Sequence, residues 1–309
     1  MNSIDVIAMT AGGGFRTEML LSDTLGSFHE MVTFSGAIRI LVHDDPIYLK
    51  PLHQKGKLAR DNLTSRARCL EFRQWLLENS QRLKIDQIIF SDEWQHIGGS
   101  IEKLITHVQS PVYFHLEDDF IFLKSIDFDA ILPCFENDTV NMIRFNRLRN
   151  VANWWDAILR PCQMAGIDLL AVSSWAFNPS LVRTQKMREF IKSGYVTRYR
   201  ASEDILVGAY WADIAAKGFD AAHKKWGTFI YGQIGDGPAV QHIGQRIIEE
   251  SSAASCRSET RGILGAVRKL LPRSNLRVLD LASGDCLWSL PDYKIVRCDR
   301  DAQAPPAFT

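Results

Sequence analysis

The stretch Pro111–Leu123 limits the fold more than any other. An apolar, aromatic-rich run, Val112-Tyr113-Phe114-His115-Leu116, stops at three consecutive acids, Glu117-Asp118-Asp119, and a second apolar run follows. A run of this kind bounded by proline reads as a buried strand. The three carboxylates cannot follow it into the core, because each loses hydration and repels the next. They belong at a strand end where water or a cation neutralises them. Hard oxygen ligands suit Mg²⁺ or Mn²⁺, ions that also bind substrate phosphates. A divalent metal holding a diphosphate at Glu117, Asp118 and Asp119 is one reading. An acidic loop that merely ends a strand is the other.

The preceding residues set the frame for that strand. Ile4–Met9 reads as a first strand, a glycine turn follows at Thr10–Thr17, and Glu18–His29 has helical spacing through Met19, Leu20, Leu25 and Phe28. The turn lacks both the Gly-Lys-Ser/Thr ending of a P-loop and the GxGxxG order of a dinucleotide site. Ala37–Val42 is a second strand, ending in His43-Asp44-Asp45-Pro46. Acids there could accept hydrogen bonds from a base or ribose, or could start an Asp-Pro turn. Residues 47–62 read as loop. From Leu63 to Gln81 the spacing is helical, with Leu63, Ala67, Leu70, Trp75 and Leu76 as the expected inner face. Arg66, Arg68 and Arg73 form a mostly solvated face from which one, Arg66 being the candidate, could reach a phosphate. Asp86–Phe90 is a third strand, and Gly98-Gly99-Ser100 is expected to break the chain before a helix through Ile101, Leu104, Ile105 and Val108. Alternating strands and helices over 120 residues predict an α/β fold with a mostly parallel, helix-covered sheet.

The second half has a different texture. Val140–Phe145 and Leu169–Ser173 read as strands, and Pro179–Ser193 as a helix. Trp154, Trp155 and Trp175 could stack on sugar rings or fill a core. Ser202-Glu203-Asp204 opens another helix, with Ser202 as the expected N-cap and two acids placed to favour the helix dipole. The same Glu203 and Asp204 could supply a general base, with the dipole lowering its pKa. A glycine-rich segment from Gly235 to Gly244 reads as a loop able to order over a ligand. Within it, His242 is either a core histidine or a metal ligand brought to the acidic triplet by the fold.

Charge and cysteine usage exclude some functions. Thirty-six basic and thirty-six acidic side chains balance, so bulk charge gives no argument for nucleic-acid binding. The six cysteines lack CxxC spacing and read as free thiols of a reducing compartment. No secretory signal and no membrane-length apolar run is evident, which points to a cytoplasmic protein and leaves peripheral membrane contact open.

Taken in order, these motifs resemble a GT-A fold nucleotide-sugar glycosyltransferase of the broad family 2 type over residues 4–246. The likeness rests on Arg16 ahead of the Leu20–Leu25 helix, Asp44-Asp45 after strand two, Glu117-Asp118-Asp119, Ser202-Glu203-Asp204 and Val240–Gly244. The resemblance implies a Rossmann-like nucleotide-binding half at about 1–125 and an acceptor-side half at about 126–248. It implies Mn²⁺ or Mg²⁺ on Asp119 and His242, with Glu117 or Asp118 reaching the metal or the donor ribose. Thr10, Arg16, Asp44, Asp45 and Arg66 would line the nucleotide. Glu203, with Asp204 close behind, would be the base of an inverting transfer of one sugar from a nucleotide-diphosphate sugar to a glycan or glycoconjugate hydroxyl. A catalytically silent nucleotide-sugar or glycan-binding module is the alternative. The chain departs from the family in its Met9–Gly14 turn and in the glutamate that starts the triplet.

Beyond this unit, 249–274 reads as a linker and a basic amphipathic helix. Residues 275–309 resemble the first strand and glycine loop of a S-adenosylmethionine-dependent methyltransferase. They are expected to be either the truncated start of such a domain, from a transferase–methyltransferase fusion, or a small β-hairpin.

Overall fold

The computed structural model of the protein describes residues 2–12, 17–49, 65–153, 156–198, 202–244, 277–281 and 294–298. They fall into two compact units, residues 1–244 and 245–309. Within the first unit the elements run Ser3–Thr10 (β1), Thr17–Met31 (α1), Val32–Thr33 (β2), Ala37–Asp44 (β3), Arg66–Asn79 (α2), Gln87–Phe90 (β4), His96–Ile105 (α3) and Val112–Glu117 (β5). Phe120–Phe122 (β6), Ile126–Asp127 (β7), Phe128–Ile131 (α4), Met142–Arg144 (β8), Leu159–Met164 (β9) and Ile167–Val172 (β10) follow. Ser180–Arg183 (β11), Thr184–Lys192 (α5), Ser202–Lys217 (α6), Phe219–Trp226 (α7), Thr228–Tyr231 (β12) and Val240–His242 (β13) complete it.

A nine-stranded sheet in the order β4-β3-β1-β5-β11-β8-β12-β10-β9 is the frame. Strands β4, β3, β1 and β5 pair in parallel, as expected for the first 120 residues. Beyond β5 the sheet is mixed: β11 runs antiparallel to β5 and β8, and β10 runs antiparallel to β9 and β12. The reason lies in the connections: β9 and β10 are joined by the tight turn at Ala165-Gly166, both with positive φ, which permits only antiparallel pairing.

Alternation along the strands divides the core into two layers. Ile4, Val6 and Ala8 of β1 pack on one face with Leu21, Leu25 and Phe28 of α1 and Phe72 and Leu76 of α2. Ile7 and Met9 point the other way, to Ile101 and Leu104 of α3, Leu206 and Tyr210 of α6 and Trp226 of α7. Both faces of the sheet are therefore buried, which is why its inner strands are continuous apolar runs.

Three local expectations are corrected. The inner face of α2 runs through Cys69, Phe72 and Leu76, leaving Leu70 at 52% exposure. The glycines at 98 and 99 lie inside α3 and do not break the chain before it. Their small size admits a neighbour, because a Cβ on Gly98 would run into the Thr197 carbonyl and lie 2.6 Å from Ser202 Oγ. The segment 179–193 is a strand followed by a helix, since Leu181 and Val182 alternate between the two core layers before helical spacing begins.

In the second unit, Arg277–Leu281 (β14) and Lys294–Cys298 (β15) pair in parallel. Parallel pairing excludes the expected hairpin, whose strands must run antiparallel. The linker and amphipathic helix expected at 249–274 lie outside the described residues.

Candidate active site

The carboxyl ends of β1, β3 and β5 lie side by side, since Thr10 pairs with Asp44 and Met9 with Glu117 in register. Open α/β sheets present ligands at this edge. The acidic triplet sits there at half-buried positions, where a turn carries β5 into β6. Thr24 of α1 fixes the turn by donating its hydroxyl to the Asp118 carbonyl at 2.9 Å.

β13 brings His242 to this turn. It pairs antiparallel with β6, setting His242 opposite Phe120, with their ring centroids 4.7 Å apart. Ile243 donates its backbone N–H to the Asp119 carbonyl at 2.7 Å, and His242 Nε2 lies 2.7 Å from Asp119 Oδ2. A Cβ on Gly244 would collide with the Asp119 carboxylate, so glycine lets the chain close over that side chain. Glu117, Asp119 and His242 thus offer ligand atoms all within 4.8 Å of one another.

The residues present fit a divalent ion. Asp119 Oδ1 and His242 Nδ1 are buried without a hydrogen-bond partner. Burial, followed by the charges of Asp119, Glu203 and Asp118, pushes the Glu117 carboxyl well above its usual range. Burial and then Asp119 raise Asp118 to about 7, a shift eased by the neighbouring Thr10 hydroxyl and the Ala11 backbone. That hydroxyl approaches Asp118 without ordinary hydrogen-bond geometry, and Thr10 Oγ1 makes no hydrogen bond of its own. The cluster holds more negative charge than the protein neutralises, the condition a cation relieves. Two carboxylates and one imidazole form a donor set of the kind that holds a divalent ion.

The helix α6 delivers Glu203 to the same place. Glu203 lies on the helix face of Leu206 and Tyr210, and its Oε1 accepts the Phe177 N–H at 2.5 Å. Asp204, one residue on, is exposed. Burial raises the Glu203 pKa, opposed by the Phe177 N–H and by Arg144 and Arg147. The net shift is upward, opposite in direction to the lowering expected from the helix dipole alone. Ser202 is the first helical residue and its Oγ has no partner, so it is not the cap. Beneath the site, Arg144 forms a buried ion pair with Asp156 at 2.6 Å and donates to Ser174 Oγ at 3.1 Å.

The remaining sequence-derived candidates are distributed differently. Asp44 is wholly buried, its oxygens taken by the Gly12 N–H at 2.8 Å and Arg73 Nε at 2.7 Å. Asp45 accepts from the Gln95 and His96 N–H groups at 2.7 and 2.8 Å, and burial raises it to about 6. Both brace the strand edge around the site. Arg66 is exposed in the first turn of α2, and Arg16 lies outside the described residues, as do Trp154 and Trp155. Trp175 is a core residue, edge-on to Phe190. Arg73 is the arginine of α2 that reaches the strand edge, and its spacing from Cys69 and Leu76 places it beside the inner face.

No known protein family matches the chain, and no curated protein matches its sequence. Several solved structures are similar in fold. Mouse xyloside xylosyltransferase 1 is 8% identical with a TM-score of 0.41, over 78% of this chain and 97% of that one. Staphylococcus aureus TarS 1-349 in complex with UDP-GlcNAc is 10% identical with a TM-score of 0.44, over 78% of this chain and 58% of that one. A mannosyltransferase from Pyrobaculum calidifontis, in complex with GDP-Man and Mn²⁺, is 11% identical with a TM-score of 0.39, over 74% of this chain and 56% of that one. No helix among the described residues is long and apolar enough to cross a membrane.

Proposed function

We propose that the protein is a GT-A-type, metal-dependent glycosyltransferase that moves one sugar from a nucleotide-diphosphate sugar to a hydroxyl acceptor with inversion. The convergence of Glu117, Asp119 and His242 on one point, with the half-buried Glu203 carboxylate in their electrostatic field, carries this reading. The triad would hold Mn²⁺, which when bound neutralises the diphosphate of the donor and of the departing group. Asp118 and the Thr10 hydroxyl lie beside the triad, where a ribose needs hydrogen-bonding partners. Glu203 takes the proton of the acceptor hydroxyl as its oxygen bonds to the anomeric carbon. The bond from that carbon to the diphosphate breaks, and its electron pair leaves with the nucleoside diphosphate. A carboxylate whose pKa is raised by burial is a better base for this step than one in water. The Phe177 N–H and the Arg144–Asp156 pair hold Glu203 and its surroundings in place. The free thiols at Cys69, Cys134 and Cys162 support a reducing, cytoplasmic setting.

Transfer or donor hydrolysis, followed across a panel of nucleotide sugars with Mn²⁺, tests the reading. Glu203→Gln should lower kcat by about 10²–10⁴-fold with little change in donor KM. An equal loss in Asp204→Asn, with Glu203→Gln unaffected, would move the base to the exposed residue.

A further inference from the structure

One buried ring joins the strand of the metal triad to the proposed base. His115 lies on β5 two residues before Glu117, so both side chains leave the same face of the strand. It is 0% exposed, and neither ring nitrogen has a hydrogen-bond partner. What it meets is another ring: the imidazole stacks on Phe177, with centroids 5.1 Å apart and planes 25° from parallel. Phe177 is buried as well, and its N–H is the donor to Glu203 Oε1. A line of contact therefore runs from the strand that ends in Glu117, through His115 and the Phe177 ring, to the carboxylate on α6.

The loop that carries Phe177 is fixed on its other sides. Ser174 Oγ donates to the buried Asp156 carboxylate, and Trp175 meets Phe190 of α5 edge-on at 4.7 Å. Phe145 N donates to the Pro179 carbonyl at 2.9 Å, and Ser180 of β11 then pairs with His115 in register. These ties hold the loop to Asp156, α5 and β8, and the stack on His115 sets how closely position 177 approaches β5. In a direct displacement the base must stand at a fixed distance from the donor. A misplacement of about 1 Å can cost on the order of 10²-fold in rate. We infer that His115 is a positioning residue: its flat ring, packed on Phe177, sets the spacing between Glu203 and the strand that carries Glu117. This inference rests on the glycosyltransferase reading and adds to it the residue that couples its two halves.

Kinetics and unfolding of full-chain variants test it. His115→Leu removes the flat ring together with two unpartnered buried nitrogens, so its urea midpoint should be no lower than that of wild type. Its kcat should nevertheless fall about 10–100-fold, with donor KM and the Mn²⁺-dependent stabilisation by a nucleoside diphosphate unchanged. His115→Phe keeps a flat face against Phe177 and should recover most of that loss. Phe177→Leu keeps the backbone N–H and removes the other side of the stack. It should lose the same factor, and the double variant His115→Leu/Phe177→Leu should be no slower than either single one. Unchanged kcat in His115→Leu, a loss that His115→Phe shares in full, or losses that multiply in the double variant would overturn the inference. So would a kcat loss accompanied by a lower urea midpoint or by weaker nucleotide stabilisation, as a merely structural role predicts. A wild-type protein with neither transfer nor Mn²⁺-dependent stabilisation would sink the glycosyltransferase reading and this inference with it, whereas the other outcomes sink the inference alone.

Discussion

Single residues in this molecule divide by whether their polar atoms are satisfied by the protein. Asp44 and Asp45 spend both oxygens on backbone and arginine donors, whereas Asp119 Oδ1 and His242 Nδ1 have no partner. No pattern of acids in a sequence displays that contrast. His223 shows how burial becomes pH dependence. Its ring stacks on Phe219 at 5.0 Å and meets Phe229 edge-on at 4.8 Å, and burial lowers its pKa to about 4. The unfolded chain binds a proton at this residue below about 6.5, and the folded chain does not until about 4, so stability falls as pH falls through that window. His223→Phe keeps the aromatic packing and leaves Tyr210 its hydrogen bond to the Val172 carbonyl. Urea midpoints should show wild type losing about 1.4 kcal/mol per pH unit relative to the variant between pH 6 and 4. Parallel pH profiles would contradict this account. The difference in burial between Glu203 and Asp204 was legible in principle, since Glu203 shares helical phase with Leu206 and Tyr210 while Asp204 does not.

Among the elements, the parallel half was readable because β1, β3 and β4 are mostly apolar runs, each followed by a helix. The second half was less so. β11 is four residues long and merges into α5 without a glycine or proline between them, so periodicity could not divide the segment. Gly98 and Gly99 resembled a loop because their reason is tertiary: Gly99 lies against Gln95 and Arg198, and Gly98 leaves room for Thr197 and the start of α6. This contact links packing to chemistry, since α6 begins one residue before Glu203. Gly98→Ala should cost about 1–3 kcal/mol of stability through overpacking. Because the added methyl displaces the first turn of α6, kcat should fall more than donor KM changes. A stability loss with unchanged kcat would show that α3 yields and α6 does not.

At the scale of the whole molecule, the sheet, both core layers and all of the candidate site lie within residues 1–244. The acidic triplet and His242 are 123 positions apart, measured from Asp119, and the β6–β13 pairing brings them together. The sequence suggested this meeting through family resemblance; periodicity alone has no means to pair two three-residue strands so far apart. A chain ending after Gly244 should unfold cooperatively and keep its metal-dependent response to nucleotide, as seen by circular dichroism and thermal melts. Loss of cooperative unfolding would mean that the second unit supports the first. The central claim is that Glu117, Asp119 and His242 hold a divalent ion that binds a nucleoside diphosphate. Thermal unfolding with nucleoside diphosphates, with Mn²⁺ or with EDTA, measures it directly. For the matching base at 100 times its Kd, Mn²⁺ should add about 2.7 kcal/mol of stability, and EDTA or Asp119→Asn should remove it. No stabilisation by any nucleoside diphosphate, or equal stabilisation with EDTA, would contradict the account.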